Sequence, residues 1–69
     1  MKINTAKFMS HLERETHIQS PERRIIIRTL SYAEEKGLSL DETKALCHKL
    51  FNGISGIDAK DIDLLEAKE

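Results

Sequence analysis

Three histidines, one cysteine and a scatter of carboxylates are the side chains with which this 69-residue chain could do chemistry. His11 and Glu15 stand four residues apart, a spacing that sets two side chains on one side of a helix and lets them share a metal. Two ligands fall short, since structural zinc takes four and catalytic zinc three. Cys47 and His48 are adjacent, so on a helix they diverge by about 100°. Cys47 falls on an apolar stripe and reads as core, while His48 is expected to face solvent. An apolar setting raises a thiol pKa and leaves it unreactive. The acidic run Asp58, Asp61, Asp63 and Glu66 lacks the spacing and the glycine of a calcium loop. Asp58 and Asp61 have a simpler use, because negative charge is favourable at a helix N-terminus. No glycine-rich phosphate loop is present. The chain is therefore expected to have no catalytic residues, no metal and no cofactor, and not to be an enzyme.

The basic side chains are the next candidates. Arg24 and Arg28 are one helical turn apart, where like charges cost a few tenths of a kcal/mol. They read either as a solvated face whose stems cover apolar neighbours or as a two-arginine site for a carboxylate or phosphate. With Lys7 and Arg14 they form a set of candidate anion or nucleic-acid contacts that a dimer would duplicate. Residues 1–30 hold six basic and three acidic side chains (+3), and residues 31–69 hold five and nine (−4), which sum to the net charge of −1. Nothing in that balance points to nucleic acid or membrane as a whole-molecule partner.

Ala33-x-x-x-Gly37-Leu38-Ser39 is similar to the turn of helix-turn-helix proteins. Gly37-Leu38-Ser39-Leu40-Asp41-Glu42 also resembles a helix junction of MerR-type regulators, although there it is not the DNA-reading turn. The resemblance covers about a quarter of the chain and rests on common helix-start chemistry. That family's recognition unit and wing have no counterpart here. If residues 29–50 docked in a major groove, the exposed start of the second helix would present Asp41 and Glu42 to the phosphates, which repel them. A nucleic-acid-binding transcriptional regulator, using either this unit or the paired basic faces of a dimer, is thus the alternative reading.

Helix punctuation organises the whole chain. Asn4 suits an N-cap, with Ile3 and Phe8 at hydrophobic-staple spacing. Ser20-Pro21-Glu22 combines a capping serine, a first-turn proline and an acid at the positive end of the dipole. Ser39 and Glu42 have capping-box spacing, and Asp58 precedes the last helix with Ile57 and Ile62 as its staple. Gly37 and Gly53 are placed to end helices in the left-handed conformation. The chain reads as a single all-α domain over 1–69, a compact bundle of four short helices at about 5–17, 21–36, 40–52 and 59–67 with a frayed C-terminal tail. The β-branched run Arg24–Leu30 has strand character, but the punctuation on both sides favours a helix.

A domain this short buries only about 60% of its unfolded surface and commonly needs a supplement. One cysteine makes no internal disulfide, so oligomerisation is the supplement left, and a homodimer is expected. No segment approaches the roughly 18 apolar residues that span a bilayer, and no signal-peptide pattern opens the sequence. A cytoplasmic protein is expected.

Placing side chains about 100° apart around each helix assigns the faces. Helix one buries Phe8, Met9 and Leu12 with Thr5 and Thr16 on the same stripe. Helix three groups Leu40, Thr43, Leu46, Cys47, Leu50 and Phe51, and helix four offers Ile62 and Leu65 with Leu64 to the side. Helix two has Ile26, Leu30 and Ala33 as its main stripe, Ile25 and Tyr32 on one flank and Ile27 on the other. Its apolar arc of about 220° far exceeds the roughly 100° stripe of a surface helix. It is either the centre of the bundle or part of a subunit interface built from Ile25, Ile27, Tyr32 and Leu64. The leading expectation is a small non-catalytic protein-interaction module, a regulator, inhibitor or adaptor working through protein–protein contacts.

Overall fold

The computed structural model describes residues 2–68. Four α-helices run in the order α1 (Thr5–Glu15), α2 (Ser20–Lys36), α3 (Leu40–Phe51) and α4 (Ala59–Ile62), with one 3-10 turn over Ile54–Gly56 before the last. The protein is an all-α compact bundle: α2 packs on α1 and on α3, and α3 packs on α4. Among the described residues the only extended pairing is an isolated antiparallel bridge between Ile3 and Ala67.

The helix starts follow their local chemistry. The Asn4 side chain accepts the Lys7 N–H at 3.2 Å, and Ile3 and Phe8 are both buried beside it as a staple. Ser39 and Glu42 form a reciprocal box, with Ser39 Oγ accepting the Glu42 N–H at 3.1 Å and the Glu42 carboxylate accepting the Ser39 N–H at 2.9 Å. At α2 the cap sits one residue before Ser20: Gln19 is the N-cap and the Glu22 carboxylate accepts its N–H at 2.7 Å. Ser20 and Pro21 then occupy the first turn, where the missing proline N–H breaks no helical bond.

The stops are partly local. Gly37 adopts φ +69° after α2, and the Leu38 N–H donates to the Ala33 carbonyl at 3.0 Å, closing a Schellman turn. No glycine ends α1. Thr16 turns extended and its hydroxyl donates to the Leu12 carbonyl at 2.6 Å. The next amide, His17 N–H, is taken by the Ser55 carbonyl at 3.0 Å. The helix therefore ends two residues short of position 17. The loop that supplies this carbonyl is tightly wound, with positive φ at Gly53, Ser55 and Gly56.

The fourth helix is the main departure from expectation. It is a single turn of four residues rather than a helix to residue 67, and the expected frayed tail is fixed in place. The Asn4 N–H donates to the Glu66 carbonyl at 3.0 Å and the Lys68 N–H to the Lys2 carbonyl at 2.9 Å, so the two ends of the described chain are joined. The Glu34 carboxylate of α2 accepts the Ile3 N–H at 3.0 Å from the other side. A helix of under a dozen residues has little stability of its own. No C-terminal glycine holds this one, and the long-range bonds prevail over the helix propensity of Leu64-Leu65-Glu66-Ala67.

The core comprises Ile3, Phe8, Met9, Leu12, Ile26, Leu30, Cys47, Phe51, Ile57, Ile62 and Leu65. Two buried threonines satisfy their hydroxyls within their own helices, Thr29 on the Ile25 carbonyl at 2.8 Å and Thr43 on the Ser39 carbonyl at 2.7 Å. No helix among the described residues is long and apolar enough to cross a membrane.

A Cβ added at Gly37 meets no atom within 4 Å, so replacement there tests the backbone alone. Gly37→Ala is expected to destabilise the fold by about 1 kcal/mol. Urea titration should show a lower midpoint with an unchanged slope.

Candidate functional site

Asp61 is the one buried carboxylate among the described residues, at 5% exposure. Its Oδ2 accepts the Asp58 N–H at 3.0 Å, which caps α4, and its Oδ1 lies 2.8 Å from His11 Nε2 on α1. Burial works to raise the Asp61 pKa. The backbone hydrogen bond from Asp58 and the His11 contact outweigh it and hold the carboxyl below the ordinary aspartate value of 3.8. His11 therefore does not share a ligand site with Glu15 but is tied to a carboxylate fifty residues away. A histidine oriented by a carboxylate can pass protons. The cleft around this pair, lined by Glu15, Asp58, Lys60 and Leu64, is nevertheless open to solvent and offers reactants no exclusion of water.

His48, expected in solvent, is half-buried. Its Nε2 lies 3.2 Å from Asp63 and its Nδ1 3.2 Å from the Asn52 amide nitrogen, linking α3 to the residue that follows α4. Cys47 is fully buried, and burial pushes its thiol up to about 11. Among the described residues no group of three or more His, Cys, Asp or Glu side chains converges as metal ligands would.

The apolar surface is concentrated elsewhere. Between α2 and α3 runs an open groove walled by Ile25, Tyr32, Leu46 and Leu50, with Thr29 below and Arg28 at its lip. Ile25, Tyr32 and Leu50 are 47%, 51% and 47% exposed. Lys36 Nζ stands 5.8 Å from the centre of the Tyr32 ring, within cation–π range at one end. Of the four expected interface residues, Ile25 and Tyr32 meet in this groove and the other two do not join them. Ile27 lines a separate depression on the opposite flank of α2 with Ser20, Arg23, Arg24 and Arg28. Leu64 stands at the α1–α4 end, beside His11 and Lys60. On the α3 stripe expected to be buried, Leu50 is instead exposed and Leu46 half-buried. The breadth of the α3 stripe was the available sign that its edge would remain outside.

The four basic candidates do not form one patch. Arg24 and Arg28 lie on α2 next to Ile27. Lys7 and Arg14 border a depression on α1 with Asn4, Ser10 and His11, and Lys7 is ion-paired with Glu66. In the 29–50 unit, Asp41 and Glu42 are exposed in the first turn of α3. Hydrogen bonds from the Ser39 backbone and side chain lower the Glu42 pKa, so its charge persists.

No protein-family model matches the chain, and no curated protein or solved structure matches it significantly.

Because the folded protein lowers the Asp61 pKa, the unfolded chain binds the Asp61 proton more tightly. The stability Asp61 supplies is therefore whole above its unfolded value of 3.8 and is lost as pH falls through the lower folded value. Asp61→Asn should start about 1–3 kcal/mol less stable at neutral pH and lose less between about pH 5 and pH 2, measured by thermal unfolding across that range. Cys47 should resist a thiol-specific disulfide reagent in native buffer and react fully in denaturant, the native rate reporting the opening of the core.

Proposed function

We propose that this protein is a small non-catalytic interaction module, a regulator, inhibitor or adaptor of the reducing cytoplasm, that binds a protein partner through the α2–α3 groove. The observation that carries this reading is adjacency. Ile25 and Tyr32 of α2 and Leu46 and Leu50 of α3 adjoin one another around a single groove, whereas isolated exposed apolar residues are ordinary on any surface. A tyrosine and an arginine at such a groove are residue types that concentrate binding energy at protein interfaces. An amphipathic helix laid along the groove is the partner shape that fits two parallel walls of this kind. The unpaired, fully buried Cys47 accords with a reducing compartment. The basic residues are divided between separate faces, and α3 begins with Asp41 and Glu42, an arrangement that favours a protein partner over a nucleic acid.

The test uses Ile25→Glu and Leu50→Glu, both at exposed positions, with Arg14→Glu on α1 as control. Affinity purification with the tagged chain identifies the bound protein, and the interaction is then remeasured with purified components. Each groove variant should keep its helical circular dichroism and lose affinity at least ~tenfold, while the control keeps it. The reading fails if groove variants bind as the wild type does. It also fails if the ligand recovered is nucleic acid whose affinity falls steeply with salt.

A further inference from the structure

Asn52 and Gly53 follow α3 and both are exposed. In an asparagine–glycine pair the backbone nitrogen readily attacks the side-chain amide, because glycine carries no Cβ to crowd the approach. The chain has one other asparagine, Asn4, and it precedes β-branched Thr5. A second observation sets Asn52 apart. Its side-chain N–H donates to His48 Nδ1 at 3.2 Å, and His48 Nε2–H in turn donates to Asp63 Oδ1 at 3.2 Å. The nitrogen that deamidation would expel therefore already touches an imidazole that a carboxylate orients.

Two features of the turn hold the reaction back. With ψ +127° at Asn52 the Gly53 nitrogen is turned away from the side chain, and its N–H is taken by the Ile57 carbonyl at 2.7 Å. Attack thus waits on the opening of the turn over 53–57. None of Ile54–Gly56 is buried, so the turn can open without exposing the core at those residues. It is also strained, since Ser55 is a non-glycine residue held at φ +53°, and opening relieves that strain.

We propose that Asn52–Gly53 is a site of self-deamidation, with His48 as the proton donor to the departing nitrogen. When the turn opens, the Gly53 nitrogen gives its proton to solvent and bonds to Asn52 Cγ. The Cγ–Nδ2 bond then breaks, and ammonia leaves with a proton delivered from His48 Nδ1, which solvent restores. Asp63 stabilises the imidazolium that makes this delivery. Water opens the resulting five-membered imide at either carbonyl, giving aspartate or isoaspartate. The net change is one water consumed and one ammonia released. The product sets a second carboxylate near Asp63, at the negative end of the α3 dipole. Its isoaspartate form also lengthens the backbone next to the turn whose Ser55 carbonyl holds the His17 amide.

The full chain is tested by incubation at physiological temperature, in native buffer and in denaturant, with circular dichroism as the check on folding. Mass spectrometry follows the tryptic peptide of residues 50–60, in which Asn52 is the sole carboxamide. In native buffer Asn52 should convert to a mixture of aspartate and isoaspartate. His48→Gln should slow that conversion at least ~threefold and leave the rate in denaturant unchanged, since only the fold places the donor. Where His48→Gln loses its helical signal, Asp63→Asn takes its place. It keeps the imidazole, removes the carboxylate that stabilises its protonated form, and should slow the native rate at least ~twofold. An Asn52 that stays an amide in the native chain overturns the proposal. So does a folded variant that converts in native buffer as fast as the wild type, or one slowed equally in denaturant.

Discussion

A carboxylate largely covered at the edge of an open cleft must find donors, and the place where Asp61 finds them dictates the course of the last part of this chain. One oxygen takes the Asp58 amide and the other meets His11 on α1. The first bond makes a helix turn out of residues that could not hold one alone, since a four-residue helix has no stability of its own. The second fastens that turn to α1. With both made, Ile57 and Ile62 are driven into the core at either side. Leaving such a carboxylate without its donors costs about 1–3 kcal/mol, so local cap and long-range tie are kept together.

The consequences reach the other end of the chain. Once α4 is held on α1 and α3, the segment after Ile62 leaves the helix and lies along residues 2–4, where Leu65 is buried and backbone bonds join Asn4 to Glu66 and Lys2 to Lys68. A chain of this size has a total stability of about 3–10 kcal/mol. Each cap and terminal bond, at about 1 kcal/mol, is then a sizeable fraction of the whole. The molecule is held less by a large core than by the completeness with which its buried polar groups are satisfied: among the described residues no buried side-chain nitrogen or oxygen lacks a partner.

What was legible in the sequence was local. Asn4, Ser39, Gly37 and the staples at Ile3–Phe8 and Ile57–Ile62 act over three to five residues, and their chemistry is the same in a peptide as in the fold. The buried stripes of α1 and α2 followed from helical periodicity alone. What escaped was long-range. α1 ends where Ser55 claims the His17 amide, and α4 ends where the N-terminal arm claims the Glu66 carbonyl. Neither claim leaves a mark within its own helix. The His11–Asp61 tie spans fifty positions, and His11 and Glu15 made an equally good pair on paper. Of the expected interface set, Ile25 and Tyr32 converge while Ile27 and Leu64 do not, because periodicity gives the angle of a side chain on its own helix and not which neighbouring helix borders that angle.

The surplus apolar residues of α2 therefore fall into two kinds. Ile27 stands among Arg23, Arg24 and Arg28, whose aliphatic stems can lie over it while their heads stay in water. That is an ordinary way for one surface isoleucine to be accommodated within a single chain. Ile25 and Tyr32 have Arg28 and Lys36 beside them yet remain about half exposed, and they border Leu46 and Leu50 of a different helix. Nothing about forming α2 asks for them, since isoleucine and tyrosine are poorer helix formers than lysine, glutamate or arginine by a few tenths of a kcal/mol each. Nothing about the core asks for them either, since Ile26, Leu30 and Ala33 already fill the buried stripe. Leu46 and Leu50 are good helix formers and Leu46 is half-buried. It is therefore Ile25 and Tyr32, neither favoured by the helix nor part of the core, that make this groove the surface on which the proposed reading rests.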